Sequence, residues 1–224
     1  MGAASKSTAN GLNAPSNGAK TIIESDLPIT LRVTIEGVSG ILFHRWDCDA
    51  VEEKSKAKKG SATKKTDNVE SYLYRVEQGN PKSAIAVPGE YLRQALIGAS
   101  KNFRDPSSKG NASLMGKAKA SLIMATELSP LYRIDDGGKR IEVVDYVEDR
   151  RRVTIQKAAI TRVRPMVPEG WRADFLVTSL LPEYIDANLI AELAGMAGKF
   201  VGLADFRPTF GRFRVVSCDV ERLD

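Results

Sequence analysis

The residues in this sequence best suited to chemistry fall into four groups, each fit to handle phosphate. In residues 202–213, Gly202 and Gly211 permit backbone angles or close approaches that a Cβ would block, while Arg207 and Arg212 carry planar forks matched to phosphate. Phe206 and Phe210 flank Arg207 with rings on which bases can stack. Taken alone, the segment also fits a helix C-cap followed by a surface turn. The second group is Arg150, Arg151, Arg152, Lys157, Arg162, Arg164 and Arg172, with Glu169 the sole acid from 150 to 172. On alternating strands these side chains collect on one face, where phosphate contacts supply sequence-independent affinity; the competing reading is a solvated, charge-rich sheet face. Third come Lys54, Lys56, Lys58, Lys59, Lys64 and Lys65 around Gly60 and Ser61, suited to any polyanion and equally to a solubilising loop. Fourth are Asp47 and Asp49, two apart beside Cys48 with Glu52 and Glu53 behind, loop carboxylates able to hold Mg²⁺ for phosphodiester cleavage.

His44 is the only histidine, and no nucleophile-elbow pattern stands beside it, so triad chemistry has no support. Walker loops, dinucleotide fingerprints and zinc ligand sets are absent from the sequence. His44 with Arg45, Arg93 with Lys101, and Lys199 complete the candidate nucleic-acid contacts. No cofactor is expected apart from Mg²⁺ under the cleavage alternative.

The elements that must position these groups are legible from periodicity. Residues 1–26 hold almost no large apolar side chains and are expected to form a disordered tail ahead of a single α+β domain over 27–224. Ile29, Leu31, Val33 and Ile35 alternate with Thr30, Arg32, Thr34 and Glu36, the period of a half-buried strand. A flexible, lysine-rich loop is expected over 47–66, then a short helix after Asp67. Pro88 and Gly89 launch a helix over 90–102, and a second helical stretch over 114–123 follows. A basic, extended hairpin is expected over 140–158, with further strands over 158–165 and 171–180. Asp186 caps a helix over 187–199 whose core face is Leu189, Ile190, Leu193, Met196, Ala197 and Phe200, and a last strand buries Phe213 and Val215. This order predicts an antiparallel sheet with helices on one side.

Of the 224 residues 42% are hydrophobic, an ordinary globular content, and 33 Lys and Arg against 28 Asp and Glu leave a net charge of +5. The cysteines Cys48 and Cys218 make no metal or redox spacing, which favours a reducing, cytoplasmic location. No signal peptide and no membrane-length apolar run is read, so no membrane partner is expected.

Two segments resemble the RAMP superfamily, the repeat-associated proteins that form the backbone of CRISPR effector complexes. Ala86-Val87-Pro88-Gly89-Glu90-Tyr91-Leu92-Arg93-Gln94-Ala95-Leu96 is similar to that superfamily's passage from strand to helix. Residues 202–213, with an arginine ahead of a Gly-Arg pair and a final strand, are similar to its glycine-rich loop. The resemblance implies a ferredoxin-like, RRM-type sheet with a thumb-like hairpin, and subunits that polymerise along a guide RNA, with target RNA and other effector subunits as further partners. It places Arg207, Gly211 and Arg212 in the loop contact and Arg150 to Arg152 in the thumb. It also implies, for some members, target RNA cleavage by an aspartate in the loop after the first strand, where Asp47 and Asp49 lie. The C-terminal region resembles small proteins of phages and mobile elements as well, which leaves open single-stranded DNA or a structural role with acidic protein partners.

Overall fold

Alternating burial in the first strand sets the architecture: Leu31, Val33 and Ile35 are fully buried, and the residues between them face outward. The computed structural model describes residues 27–46, 52, 56, 68–155 and 158–221. In chain order the elements are β1 (Ile29–Gly37), β2 (Ile41–Leu42), β3 (Ala86–Pro88), α1 (Gly89–Ser100), α2 (Met115–Ser121), β4 (Leu122–Met124), β5 (Leu128–Pro130), β6 (Tyr132–Ile134), β7 (Arg140–Glu142), β8 (Val147–Ile155), β9 (Ala158–Val167), β10 (Arg172–Ser179), α3 (Ala187–Met196), a π-helical turn (Ala197–Val201) and β11 (Phe213–Val220).

The main sheet is antiparallel with β1 at its centre, β11 on one side and β10 on the other; β10 then pairs with β4 at one end and β6 at the other. The path β1-α1-β4-β10-α3-β11 is a β-α-β-β-α-β unit whose fourth, first, third and second strands lie side by side, the ferredoxin-like arrangement. Register from Ile29↔Ser179 to Glu36↔Arg172 puts Ala173, Phe175 and Val177 on the same buried face as Leu31, Val33 and Ile35. Leu92, Ala95, Leu96 and Ala99 of α1 and Ile190, Leu193 and Ala194 of α3 belong to the same core, so both helices cover one face of the sheet. Asp186 caps α3, its Oδ1 accepting from the Leu189 amide at 2.8 Å. Truncating a central ring such as Phe175 to alanine would cost about 3–5 kcal/mol through the cavity it leaves.

Three expectations change. The helical stretch ends at Ser121, and Leu122–Met124 is the second core strand, because the edge of β10 offers hydrogen bonds that outweigh a three-residue run's weak helical spacing. The hairpin lies over 147–167 rather than 140–158, and Glu148 to Arg152 sit inside its first strand; residues 140–142 pair with β6 instead. The first strand carries Glu148 to Arg152 with no apolar alternation, so its charges disguise it as a connection. The helix expected after Asp67 is a single 3₁₀ turn, Val69–Tyr72. The expected tail and most of the lysine-rich loop lie outside the described residues.

Candidate nucleic-acid interface

The glycine-arginine segment is a closed loop docked on the β1–β2 connection. Its ends are tied where the Leu203 amide donates to the Gly211 carbonyl at 2.9 Å, and it is pinned by Asp205 N to Leu42 O at 3.0 Å, Gly211 N to Gly40 O at 2.8 Å and Arg212 N to Ser39 Oγ at 3.0 Å. Gly211 has φ +71°, and a Cβ there would stand 1.9 Å from the Leu203 carbonyl oxygen. Its constraint is therefore internal: buried, it shapes the loop. Ala204 and Phe206 also hold positive φ, 61° and 58°, a local cost of about 1 kcal/mol or more each that the docked loop sustains. Arg207 is thereby presented at an exposed tip; Arg212 is exposed as well, its backbone tied to Val38 and Ser39, and it is not among the residues lining the groove that holds Arg207.

The base of the hairpin closes on this loop. Arg164, only 6% exposed, lies 2.6 Å from Asp205 of the loop. Arg151 pairs with Asp149 at 2.6 Å and stands over the Phe210 ring at 4.4 Å, while Phe206 and Phe210 meet edge to face at 6.1 Å. Arg162 donates to Nε2 of His44 at 3.2 Å, and the His44 ring leans on Tyr72 at 4.7 Å. A guanidinium only donates, so this bond requires the ring proton on Nδ1. Arg150 pairs with Glu148 at 2.7 Å, and Arg172 lies away on the main sheet, bound to Glu36 at 2.6 Å. The basic run expected to be unopposed is thus largely matched by Glu36, Glu148, Asp149 and Asp205, all outside the span of the run. Arg152 is exposed and makes no ion pair among the described residues; Lys157, Asp47 and Asp49 lie outside those residues.

Charge left unmatched gathers elsewhere, in a groove between α1 and the loop. A cavity of about 860 Å³ is lined by Gln94, Lys101, Lys119, Phe200, Phe206 and Arg207, among others. A neighbouring one of about 300 Å³ shares Gln94 and Arg207 and reaches His44 and Tyr91; a third, of about 690 Å³, continues past Tyr91 to Tyr74 and Arg45. Arg45 stands over the Tyr74 ring at 5.7 Å, and burial followed by the hydrogen bond with Tyr74 pushes the Tyr91 hydroxyl well above the usual phenol range. The side chains of Lys101, Lys119 and Arg207 make no ion pair or hydrogen bond among the described residues, so their charge is available to a ligand. Arg93 is different: its fork is spent on the Leu122 carbonyl at 2.7 Å, the Lys119 carbonyl at 2.8 Å and Glu90 at 3.0 Å, tying α1 to α2 and β4. Lys119, missed in the sequence, is brought to the groove by α2; only its place in a helix after Pro106 hinted at it.

Lys199 and Phe200 follow α3 in the π-helical turn, and both are exposed. Phe200 was expected in the core and is 63% exposed. The bond from Gly202 N to Ala197 O, 2.8 Å, spans one residue more than an α-helical turn, so the helical register slips and Val201 takes the inward place.

No family model and no curated protein matches the chain. Among solved structures it is similar to a chain in the cryo-EM structure of the Type III-B Cmr-beta complex bound to cognate target RNA, with a TM-score of 0.50 and 8% identity. The match covers 88% of this chain and 61% of that one, so this chain spans under two thirds of its neighbour's length. Among the described residues no helix is long and apolar enough to cross a membrane. At such identity the likeness is one of fold, and the shared fold is the mixed α+β, antiparallel, ferredoxin-like arrangement.

Proposed function

We propose that the chain binds single-stranded RNA along the groove between α1 and the 203–212 loop, as a backbone-type subunit of a CRISPR-like effector ribonucleoprotein. The observation that carries this reading is the gathering of Lys101, Lys119 and Arg207, none in an ion pair among the described residues, in one groove whose acidic lining residue, Asp205, is paired with Arg164. Polyanion contacts of this kind give affinity without reading sequence. The fold likeness to a chain of an RNA-bound complex supports the choice of ligand. In this reading the hairpin, with Arg152 outward, extends the contact along the strand, and copies of the chain add side by side with other effector subunits.

Fluorescence anisotropy with a labelled single-stranded RNA at rising salt tests the binding. Three phosphate contacts give log Kd a dependence on log salt of about 2, at roughly 0.7 per contact for single strands. Absence of affinity at low salt, or affinity without a salt slope, overturns the reading. Sedimentation on RNAs of increasing length tests assembly: mass should rise in steps of one subunit, whereas a single copy at every length removes the side-by-side part.

A further inference from the structure

We infer that Phe200 is a stacking platform for an unpaired base of the bound strand, an inference that rests on the RNA-binding reading above. The ring lines the same cavity as Lys101, Lys119, Phe206 and Arg207 and is 63% exposed, so the fold leaves one of its largest apolar side chains in water beside unmatched positive charge.

The backbone explains how it comes to be there. Gly198 is packed so closely on β11 that a Cβ would stand 2.1 Å from the Phe213 carbonyl oxygen, and Val201 packs over Gly98 of α1, where an added Cβ would meet it at 3.3 Å. With Gly198 and Val201 both held inward, the extra residue of the π-helical turn has to be accommodated between them, and Phe200 is turned out over the groove. Such π-bulges are found often at functional sites. A purely electrostatic track has no use for an exposed ring, and an apolar protein partner has none for three unmatched cations. A single strand uses both, because its phosphates meet the cations while every base presents a π-face to the ring. A duplex has its bases already stacked on each other, so the platform favours unpaired strands.

The experiment compares the protein with its Phe200→Ala and Phe200→Trp variants on a single-stranded RNA and on an abasic ribose-phosphate strand of equal length. Phe200→Ala should bind the base-bearing strand about tenfold more weakly and the abasic strand unchanged. Phe200→Trp should restore affinity, and its added indole emission should be quenched by the base-bearing strand only. Wild-type affinity of Phe200→Ala for the base-bearing strand, or an equal loss on both strands, overturns the inference while the RNA-binding reading stands. Loss of self-association with RNA affinity intact assigns the ring to a protein neighbour and overturns it too. Failure of the wild-type protein to bind either strand overturns both.

Discussion

The outer face of the main sheet and the groove beside α1 hold similar numbers of basic side chains and use them in opposite ways. On the sheet, Glu36 accepts from Arg172 at 2.7 Å and Arg214 at 2.6 Å; Asp174 accepts from Arg140 at 2.8 Å, the Tyr132 hydroxyl at 2.9 Å and Thr34 at 2.9 Å; Arg32 meets Glu221 at 2.8 Å. Burial pushes the Glu36 carboxyl up, but the bonds from Arg214 and Arg172 outweigh it and hold the group below its ordinary value. Burial, then the bond to Asp174, pushes the Tyr132 hydroxyl up to about 12. Charges closed on each other project little field. RRM domains bind RNA by stacking bases on sheet aromatics, yet the outward positions of β1 and β10 hold Thr30, Arg32, Thr34, Glu36, Arg172, Asp174, Leu176 and Thr178, with no ring among them. The two central strands thus present paired charges and hydroxyls outward, and the unspent charge and exposed rings lie at the sheet's flank. What separates the two regions is where the acids fall, not where the bases do.

The largest effect is expected at the groove wall. Gly211→Ala forces a Cβ onto the Leu203 carbonyl in a left-handed backbone and should destabilise the protein by about 3 kcal/mol in chemical denaturation, weakening RNA binding as the loop shifts. A variant of normal stability would mean the loop yields to the added Cβ, and the groove's unpaired charge would no longer be held in place as the sheet's paired charge is.

Glu36→Ala comes next. It leaves Arg172 and Arg214 facing each other across β1 and should cost about 2 kcal/mol of stability with RNA affinity unchanged. The same carboxylate makes a pH test. Its folded value lies below the ordinary 4.5, so the stability it contributes is present above that pH and is lost as pH falls through the folded value. Thermal denaturation of the wild-type protein should therefore show an acid-side loss below about pH 4.5 that is diminished in Glu36→Gln. An equal acid loss in both proteins would remove Glu36 as the keystone of the sheet face.

The groove should answer in the reverse sense. Replacing Lys101, Lys119 and Arg207 together by alanine should change stability by no more than about 0.5 kcal/mol while making the salt dependence of RNA binding shallower by about 2. Stability and affinity falling together would erase the distinction between the regions. The smallest effect is expected for Arg32→Ala, an exposed pair with Glu221 that should contribute within about 0.5 kcal/mol and nothing to binding.

Much of the fold was legible residue by residue. Alternation in β1 and β10, the Asp186 cap, and the helical spacing of α1 and α3 all record a buried face, and burial leaves a period that any reader of the sequence recovers. β4 left none, being three residues long with its identity set by a strand some fifty positions away. The candidate site was legible in its loop and blurred elsewhere: Arg207 was picked out and is exposed in the groove, whereas Arg93, Arg164 and Gly211 were picked out for the same chemistry and work inside the fold.

By itself, then, the sequence determined the class of the fold, the positions of its central strands and helices, and the basic run over residues 150–172, because each is written in local periodicity or simple count. Only the tertiary structure decided which of those charges are spent. Arg164 meets Asp205 of the loop, Arg172 meets Glu36 from 136 positions away, and Phe200 leaves the core because the chain takes a wider helical turn between two fixed contacts. Pairing and packing of that kind join residues distant in sequence, and no periodicity encodes them.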